Sequence, residues 1–185
     1  MNILLASGLL LVSTVAVELG AAQDDLAGMA AKRAFVTLAP PSIVTVMQGK
    51  AAIQSLTFRV ASGYHINSST PKSEFLIPTA LKIDAITDIV IGGITYPEGR
   101  EMSFAFAPDE KLNVYAGTFN IGVNVRALHS VQPGKYVVRG SLKYQACDNA
   151  ACYPPKQLPV AFDVKIAKAP PPSRGNPAQS PHAHR

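Results

Sequence analysis

The chain contains two cysteines, Cys147 and Cys152, within the segment Y-Q-A-C-D-N-A-A-C-Y-P-P. Strand-like residues precede and follow the pair, and the D-N-A-A segment between them favours a turn. This pattern predicts a β-hairpin with the two cysteines facing each other across its mouth. Facing residues on antiparallel strands lie about 4.5–5.5 Å apart at Cα, within the range of roughly 4.4–6.8 Å that a disulfide tolerates. The chemistry available to such a pair is thiol–disulfide exchange.

Alternation along the preceding strand places Cys147 on a polar face. The residues that share this face in an uninterrupted strand are Arg139, Ser141, Lys143 and Gln145. Successive side chains of a strand point to opposite sides, so Cys147 is expected to project away from the core. A disulfide that crosses a core between two sheets is not expected here, since it joins cysteines distant in sequence.

A bridge over so short a loop contributes little to stability. In the loop-entropy model, closing about six residues contributes about 2 kcal/mol, against nearly 5 for about 100 residues. Pro154 and Pro155 have no backbone N–H, which leaves the chain beside Cys152 open to a partner. Spacing alone permits two interpretations: a structural bridge of a secreted domain, or a redox pair.

The elements that must position the pair are strands. Short apolar and β-branched segments alternate with turn residues, which predicts an all-β sandwich. The predicted strands are Ser42–Met47, Ala51–Val60, Tyr64–Ile66, Phe75–Ile77, Ile86–Ile91, Ile94–Tyr96, Thr118–Val125, Lys135–Ala146 and Leu158–Ile166. A turn is predicted at Pro108-Asp109-Glu110. The predicted core comprises Phe58, Val60, Leu76, Ile83, Ile89, Ile91, Phe119, Ile121, Val123, Tyr136, Val138, Leu142, Val160, Phe162 and Val164.

The two ends of the chain differ from this pattern. Residues 1–22 are predicted to be a signal peptide, because Ile3–Val17 is almost wholly apolar and small residues follow; an uncleaved anchor is the alternative. Residues 23–34 form a leader, 35–167 the sandwich, and 168–185 a Pro-rich tail that cannot fill a core. Export would place the domain in the periplasm or another oxidising compartment.

The sequence contains no motif typical of a nucleic-acid, phosphate or metal site. The net charge is +5, but no basic cluster interleaved with aromatic residues indicates nucleic-acid binding. No phosphate-binding loop, metal motif or catalytic triad is found, and no cofactor or metal is expected. A copper site built from the two cysteines, Met102 and His65 would suit Cu(I). These residues do not have the spacing of a metal motif, so a core methionine and a loop histidine are the preferred interpretation.

The cysteine segment resembles the signature of one family, the amino-terminal periplasmic domain of the thiol:disulfide interchange protein DsbD. The shared pattern is Tyr-Gln-small-Cys, a short loop, and Cys-Tyr-Pro-Pro. Gly63-Tyr64-His65-Ile66 is similar to a Gly-Tyr segment of the same family, and Thr118–Val125 to a strand that follows its cap. The resemblance extends from about Val44 to Ile166.

This resemblance implies a fold and a function. The fold would be an immunoglobulin-like antiparallel β-sandwich. The cysteines would pass reducing equivalents from a separate membrane-embedded thiol donor to periplasmic thioredoxin-like acceptors, which serve disulfide isomerisation and cytochrome c maturation. Cys152 would form the mixed disulfide with the partner, and Cys147 would resolve it. By position, Phe104 or Phe106 would be the aromatic of a cap that covers the disulfide.

Three residues beside the pair, Tyr144, Tyr153 and Pro154, are expected to contact the partner. No Lys, Arg or His lies within three residues of either cysteine in sequence, so a strongly lowered thiol pKa is not expected from local sequence. The alternative function is a secreted β-sandwich binding module with an inert structural disulfide.

Overall fold

Alternation of buried and exposed side chains determines the secondary structure. In the strand Thr118–Ala127, for example, every second side chain from Phe119 onward is buried, the pattern of a strand with one face on a core. The structure, a computed structural model, describes residues 34–84 and 86–171. The predicted signal peptide, most of the leader and most of the tail lie outside these residues.

Twelve strands and no helix are found in the described residues. They are β1 Val36–Leu38, β2 Val44–Met47, β3 Ala51–Val60, β4 His65–Asn67, β5 Ala80–Ile83, β6 Ile89–Thr95, β7 Arg100–Phe104, β8 Ala107–Tyr115, β9 Thr118–Ala127, β10 Gly134–Tyr144, β11 Ala146–Cys147 and β12 Lys156–Ala167. Accordingly, no helix in this part of the chain has the length and apolarity needed to cross a membrane.

The strands form three four-stranded sheets. Sheet 1 has the order β1-β3-β9-β6, sheet 2 has β2-β12-β10-β5, and sheet 3 has β11-β4-β8-β7. The pairings are antiparallel, except that β2 runs parallel to β12. The predicted antiparallel, immunoglobulin-like β-sandwich is confirmed.

The main core lies between sheets 1 and 2. Phe58 and Ile121 from sheet 1 pack in one cluster with Val138, Leu142 and Phe162 from sheet 2. Most of the predicted core is fully buried. The exceptions, Leu76, Ile83, Ile91 and Tyr136, are partly buried at the margins. Full burial of such side chains stabilises a fold by about 1.5–3 kcal/mol each, so this cluster accounts for much of the stability.

The predicted strand Phe75–Ile77 is wrong. These residues lie in a loop, with Phe75 86% exposed. The backbone of Ile77 instead bonds to side-chain amides: its carbonyl accepts from Asn67 Nδ2 at 3.0 Å, and its N–H donates to Gln145 Oε1 at 3.4 Å. Because side chains occupy its backbone groups, the segment does not join a ladder.

Two other strand boundaries differ from the prediction. Ile89–Thr95 is one strand that passes through Gly92 and Gly93, with a bulge at this point. The turn predicted at Pro108-Asp109-Glu110 is wrong, because these residues lie within β8 and the β7–β8 turn is at Ala105-Phe106. The unpaired side of an edge or bulged strand accommodates a proline, so Pro108 does not end the strand.

One glycine is required by the contact between β10 and β5. A Cβ at Gly140 would lie 2.3 Å from the carbonyl oxygen of Lys82 and 3.1 Å from Ile83 Cα. Both atoms belong to backbone, so the strands would have to separate. Gly93 provides a comparison, since a Cβ there would meet nothing within 4 Å.

We expect Gly140→Ala to lower the free energy of unfolding by about 1–3 kcal/mol, the range for overpacking. Gly93→Ala should change it by less than about 0.5 kcal/mol, as surface substitutions usually do. Chemical denaturation of the two variants and the wild-type domain checks this. Equal stability of all three would contradict the close approach at Gly140.

Candidate functional site

The two cysteines form a disulfide. The Sγ atoms of Cys147 and Cys152 are 2.01 Å apart and the Cα atoms 4.0 Å apart, slightly closer than expected. The two residues form an isolated antiparallel bridge, and Asp148 N donates to the carbonyl of Ala151 at 3.0 Å. The predicted bridge across a hairpin mouth is confirmed.

The two cysteines differ sharply in exposure. Cys147 is fully buried, at 0%, whereas Cys152 is exposed. The prediction that Cys147 projects from a polar face is therefore wrong. The physical reason is a break at Gln145: β10 of sheet 2 ends at Tyr144, and β11, which pairs with β4 of sheet 3, begins at Ala146.

Gln145 holds this break in place with its side-chain amide. Its Oε1 accepts from Asn67 Nδ2 at 3.2 Å and from the backbone N–H of Ile77. Its Nε2 donates to the carbonyl of Tyr153 at 3.2 Å. One side chain thus connects the strand before the cysteines to β4, to the loop after β4, and to the residue after Cys152.

Asp148 closes the loop between the cysteines. Its Oδ1 accepts from the N–H groups of Ala150 and Ala151 at 2.8 and 2.9 Å, and its Oδ2 accepts from the Tyr153 hydroxyl at 2.6 Å. The hydrogen bond from Tyr153, with the two backbone N–H groups, lowers the pKa of Asp148. The same bond, with some burial, raises the pKa of Tyr153 to about 12.

Tyr153 also packs at the margin of the main core. Its ring centroid lies 4.9 Å from that of Phe35 and 6.0 Å from that of Tyr64. Its backbone N–H donates to the carbonyl of Ala146 at 2.8 Å. Tyr153 is half-buried and Pro154 is exposed, so both remain at the surface beside Cys152.

Tyr144 is not at this surface. It is 3% exposed and belongs to the main core, and burial raises the pKa of its hydroxyl. The prediction that Tyr144 contacts a partner is wrong, because the alternation of β10 turns its ring inward. Its place in the Tyr-Gln-small-Cys pattern reflects packing of the strand that leads to Cys147.

The disulfide lies on the outer face of sheet 3. In the registers of β4 with β11 and β8, Ile66 pairs with Ala146 and with Tyr115, and all three pack in the main core. The alternate residues face the other way. Val114 and Leu112 of β8 join Phe104 in a second, smaller apolar cluster, which Leu76 and Phe106 cover in part.

His65 lies on this outer face, directly opposite Cys147 in the β4–β11 register. Its ring stacks on Phe104 with centroids 3.8 Å apart, and the Phe106 centroid lies 5.5 Å from that of Phe104 and 6.3 Å from that of His65. His65 is 3% exposed. The interpretation of His65 as a loop histidine is wrong, since it lies in β4; local sequence does not reveal its pairing with Cys147, because the two residues are distant in the chain.

The environment of His65 is apolar on one side and charged on the other. Burial lowers the pKa of its imidazole, and the nearby Asp148 carboxylate opposes this. Its Nε2 is buried without a hydrogen-bond partner among the described residues. The same part of the chain contains no group of three or more His, Cys, Asp or Glu side chains that could hold a metal ion.

The sequence comparisons find no match: no protein-family model and no curated protein matches the chain. Among solved structures, the chain is similar to the DsbD N-terminal domain of Neisseria meningitidis in its reduced form. The identity is 21% and the TM-score 0.41, over 72% of this chain and 86% of that chain. The same domain in complex with the PilB N-terminal domain matches with 19% identity and a TM-score of 0.39, over 67% and 80%.

Two other solved structures are similar at the same level. The N-terminal periplasmic domain of ScsB from Proteus mirabilis matches with 12% identity and a TM-score of 0.45, over 69% of this chain and 44% of that chain. The seventh ScaB type I cohesin from Pseudobacteroides cellulosolvens has 10% identity and a TM-score of 0.45, over 77% and 98%. The family that the cysteine segment resembles is thus among the matches. At these TM-scores, the similarities do not themselves assign a function.

The hydrogen bond between Tyr153 and Asp148 predicts that the stability of the domain decreases at acid pH. The pKa of Asp148 is below its ordinary value in the folded domain. The stability that it contributes is therefore present above the unfolded pKa and is lost as the pH falls through the folded pKa. Tyr153→Phe removes the largest cause of the shift, so we expect the pKa of Asp148 to rise towards the ordinary value of an aspartate, about 3.9.

Titration of the Asp148 carboxyl by NMR, in the wild-type domain and the variant, measures this change. Tyr136→Phe is the matched control, because the Tyr136 hydroxyl donates to the carbonyl of Gln132 at 2.8 Å and not to Asp148. An Asp148 pKa that is the same in Tyr153→Phe and wild type would contradict the assigned cause.

Proposed function

We propose that this chain is an exported thiol–disulfide exchange domain. Cys147 and Cys152 would shuttle two electrons from a separate membrane-embedded thiol donor to periplasmic thioredoxin-like acceptors. One observation carries the proposal: a single short bridge joins an exposed cysteine to a fully buried one. An incoming thiolate of a partner would attack Cys152, the exposed residue of the pair, which gives the two cysteines different tasks.

The position of the disulfide supports a redox role over a structural one. The main core is built by sheets 1 and 2, whereas the bridge joins residues five apart within one hairpin. Hydrogen bonds from Asp148 N to Ala151 O, and from Tyr153 N to Ala146 O, already close that hairpin. Reduction therefore removes one local cross-link and leaves the sandwich and the loop in place.

The exchange would proceed through Cys152. A donor thiolate attacks Cys152 Sγ, the S–S bond breaks, and its electron pair leaves on Cys147 Sγ; a second donor thiol then displaces Cys152 and leaves the dithiol. In the next half-reaction the Cys152 thiolate attacks the acceptor disulfide and forms a mixed disulfide. Cys147 resolves it by attacking Cys152, and the acceptor leaves with both of its sulfurs reduced.

The β7–β8 hairpin would shield this chemistry. Phe104 is buried, Phe106 is half-buried, and their rings stack in one layer with His65. Because His65 pairs with Cys147, these rings would cover the part of sheet 3 that carries the buried cysteine. We propose that Phe104 and Phe106 limit the access of small thiols, and that a protein partner displaces them.

The partner would approach from the side of Pro154. Pro154 and Pro155 are exposed and have no N–H to offer a ladder, so the chain beyond Cys152 stays free of a neighbouring strand before β12 begins at Lys156. The half-buried ring of Tyr153 provides a rigid aromatic surface next to Cys152. Aromatic residues of this kind are enriched where proteins meet.

The redox role predicts a labile bridge. We expect the reduction potential of the Cys147–Cys152 pair, measured by equilibration with dithiothreitol or glutathione buffers, to lie above about −300 mV. Structural disulfides of secreted proteins typically lie below this value. A potential below it would indicate the inert bridge of a binding module and would contradict the proposal.

The difference in exposure predicts which cysteine captures a partner. Cys147→Ser should accumulate a mixed disulfide with a thioredoxin-like protein through Cys152, because the resolving thiol is absent. The matched control, Cys152→Ser, should trap little, since its remaining thiol is buried. Non-reducing electrophoresis after mixing with an oxidised thioredoxin-like domain measures both. Trapping by Cys152→Ser alone would reverse the two roles.

The proposed shielding by Phe104 and Phe106 predicts that their removal changes the rate at which small thiols reduce the disulfide. Replacing both rings (Phe104→Ala with Phe106→Ala) should speed reduction of the disulfide by dithiothreitol about tenfold, because the outer face of sheet 3 becomes open to small thiols. Phe75→Ala removes an aromatic that is 86% exposed and should leave the rate unchanged. Thiol release under excess dithiothreitol gives these rates. Equal rates in the double variant and wild type would eliminate the cap.

A further inference from the structure

The unpartnered nitrogen of His65 requires an explanation. The residue is 3% exposed, and its Nε2 is buried with no hydrogen-bond partner among the described residues. Buried polar atoms are nearly always paired, so a native exception points to strain, to catalysis or to a missing partner. The stacked ring of Phe104 shields one face of the imidazole and supplies no acceptor or donor.

The neighbour of His65 across the strands is the resolving cysteine. Directly opposed residues of an antiparallel pair have Cβ atoms about 4.5–5.5 Å apart and project to the same side, and His65 is opposed to Cys147. In the disulfide, the Cys147 sulfur carries no hydrogen and cannot donate. Reduction adds an S–H at this position, next to a nitrogen that lacks a donor.

We propose that His65 is the general base for Cys147. In the dithiol state Nε2 accepts a hydrogen bond from the Cys147 thiol, and it takes the proton when Cys147 resolves the mixed disulfide. This inference rests on the proposed function, and it assigns a role to a residue outside the cysteine segment.

The resolving step balances with these groups alone. The Cys147 S–H proton moves to His65 Nε2, and the resulting thiolate attacks Cys152 Sγ. The Cys147–Cys152 bond forms, the bond between Cys152 and the acceptor sulfur breaks, and the electron pair leaves as the acceptor thiolate. The imidazolium then returns its proton to that thiolate or to water.

The surroundings of His65 are suited to this task. Two titratable side chains face it from the paired strand and its loop, Cys147 and Asp148, while Phe104 of β7 and Phe106 of the turn are uncharged. Burial lowers the pKa of the imidazole, which favours the neutral form that can accept a proton. The Asp148 carboxylate favours the imidazolium that forms.

The size of the effect has an upper bound. A thiol with an ordinary pKa of about 8.5 is only about 3% ionised at pH 7, so a base that ionises it fully accelerates attack up to about 30-fold. We therefore expect the loss of His65 to slow ring closure by about 10- to 30-fold at pH 7.

The experiment follows two successive thiol releases. Reduced domain is mixed with one equivalent of dithiobis(nitrobenzoate) in a stopped-flow instrument. Attack by Cys152 releases the first nitrothiolate, and closure by Cys147 releases the second. The variant Cys147→Ser identifies the first phase, because it cannot close the disulfide and therefore releases only one nitrothiolate. His65→Phe, which keeps an aromatic ring on Phe104, should slow the second phase and change the first less than about threefold.

The pH profile separates a base from a structural residue. In the wild-type domain, the rate of closure should stay high as the pH is lowered to the pKa of His65. In His65→Phe, the rate should already decrease once the pH is below the higher pKa of an unassisted thiol. His65→Gln, which can accept a hydrogen bond but not a proton, should resemble His65→Phe. His129→Gln, at an exposed histidine, is the control and should match wild type.

Different failures have different meanings. If the wild-type domain releases one nitrothiolate and never forms the Cys147–Cys152 disulfide, both the proposed exchange function and the role of His65 are contradicted. If wild type closes and His65→Phe closes at the same rate with the same pH profile, only the role of His65 is overturned. If neither variant folds, NMR of the wild-type domain decides: His65 ring resonances that do not shift on reduction would overturn the proposal.

Discussion

The site depends on the point at which the chain leaves one sheet for another. β10 is the central partner of β12 and β5 in sheet 2, yet two residues after it ends, the chain is paired with β4 of sheet 3. Gln145 occupies the break and bonds to three separate segments. Had β10 continued, Cys147 would face solvent beside Cys152, and the two sulfurs would be equivalent to an incoming thiolate.

The asymmetry of the two cysteines thus comes from tertiary pairing rather than from the hairpin. The hairpin itself is closed by local bonds, chiefly those of the Asp148 carboxylate. These bonds involve neither sulfur, so the loop can keep its shape in both redox states. A site that changes little between redox states would place a small reorganisation cost on each thiol–disulfide exchange.

The sequence predicted the parts of the fold that local pattern controls. The strand Ala51–Val60 was predicted with its observed bounds, and the turn between the cysteines followed from D-N-A-A. Errors arose where a distant partner decides the outcome. The face of Cys147 and the burial of Tyr144 depend on the break at Gln145, and the loop at Phe75 depends on side-chain amides from Asn67 and Gln145. Nothing within the G-Y-H-I segment indicates that His65 pairs with Cys147, because a three-residue strand is too short to show alternation.

The small apolar cluster over sheet 3 would hold the proposed cap closed. Phe104, Leu112 and Val114 form a cluster distinct from the main core, so opening of the proposed cap would leave the packing of sheets 1 and 2 unchanged. The exposed ion pair between Lys72 and Glu101 contributes little, as surface pairs generally do. Exposing one buried phenylalanine costs about 1.5–3 kcal/mol, and 1.4 kcal/mol corresponds to about a tenfold population ratio. An open state held back mainly by Phe104 would therefore be populated at about 1–10%, which is low enough to protect the disulfide from small thiols and high enough for a protein partner to select it.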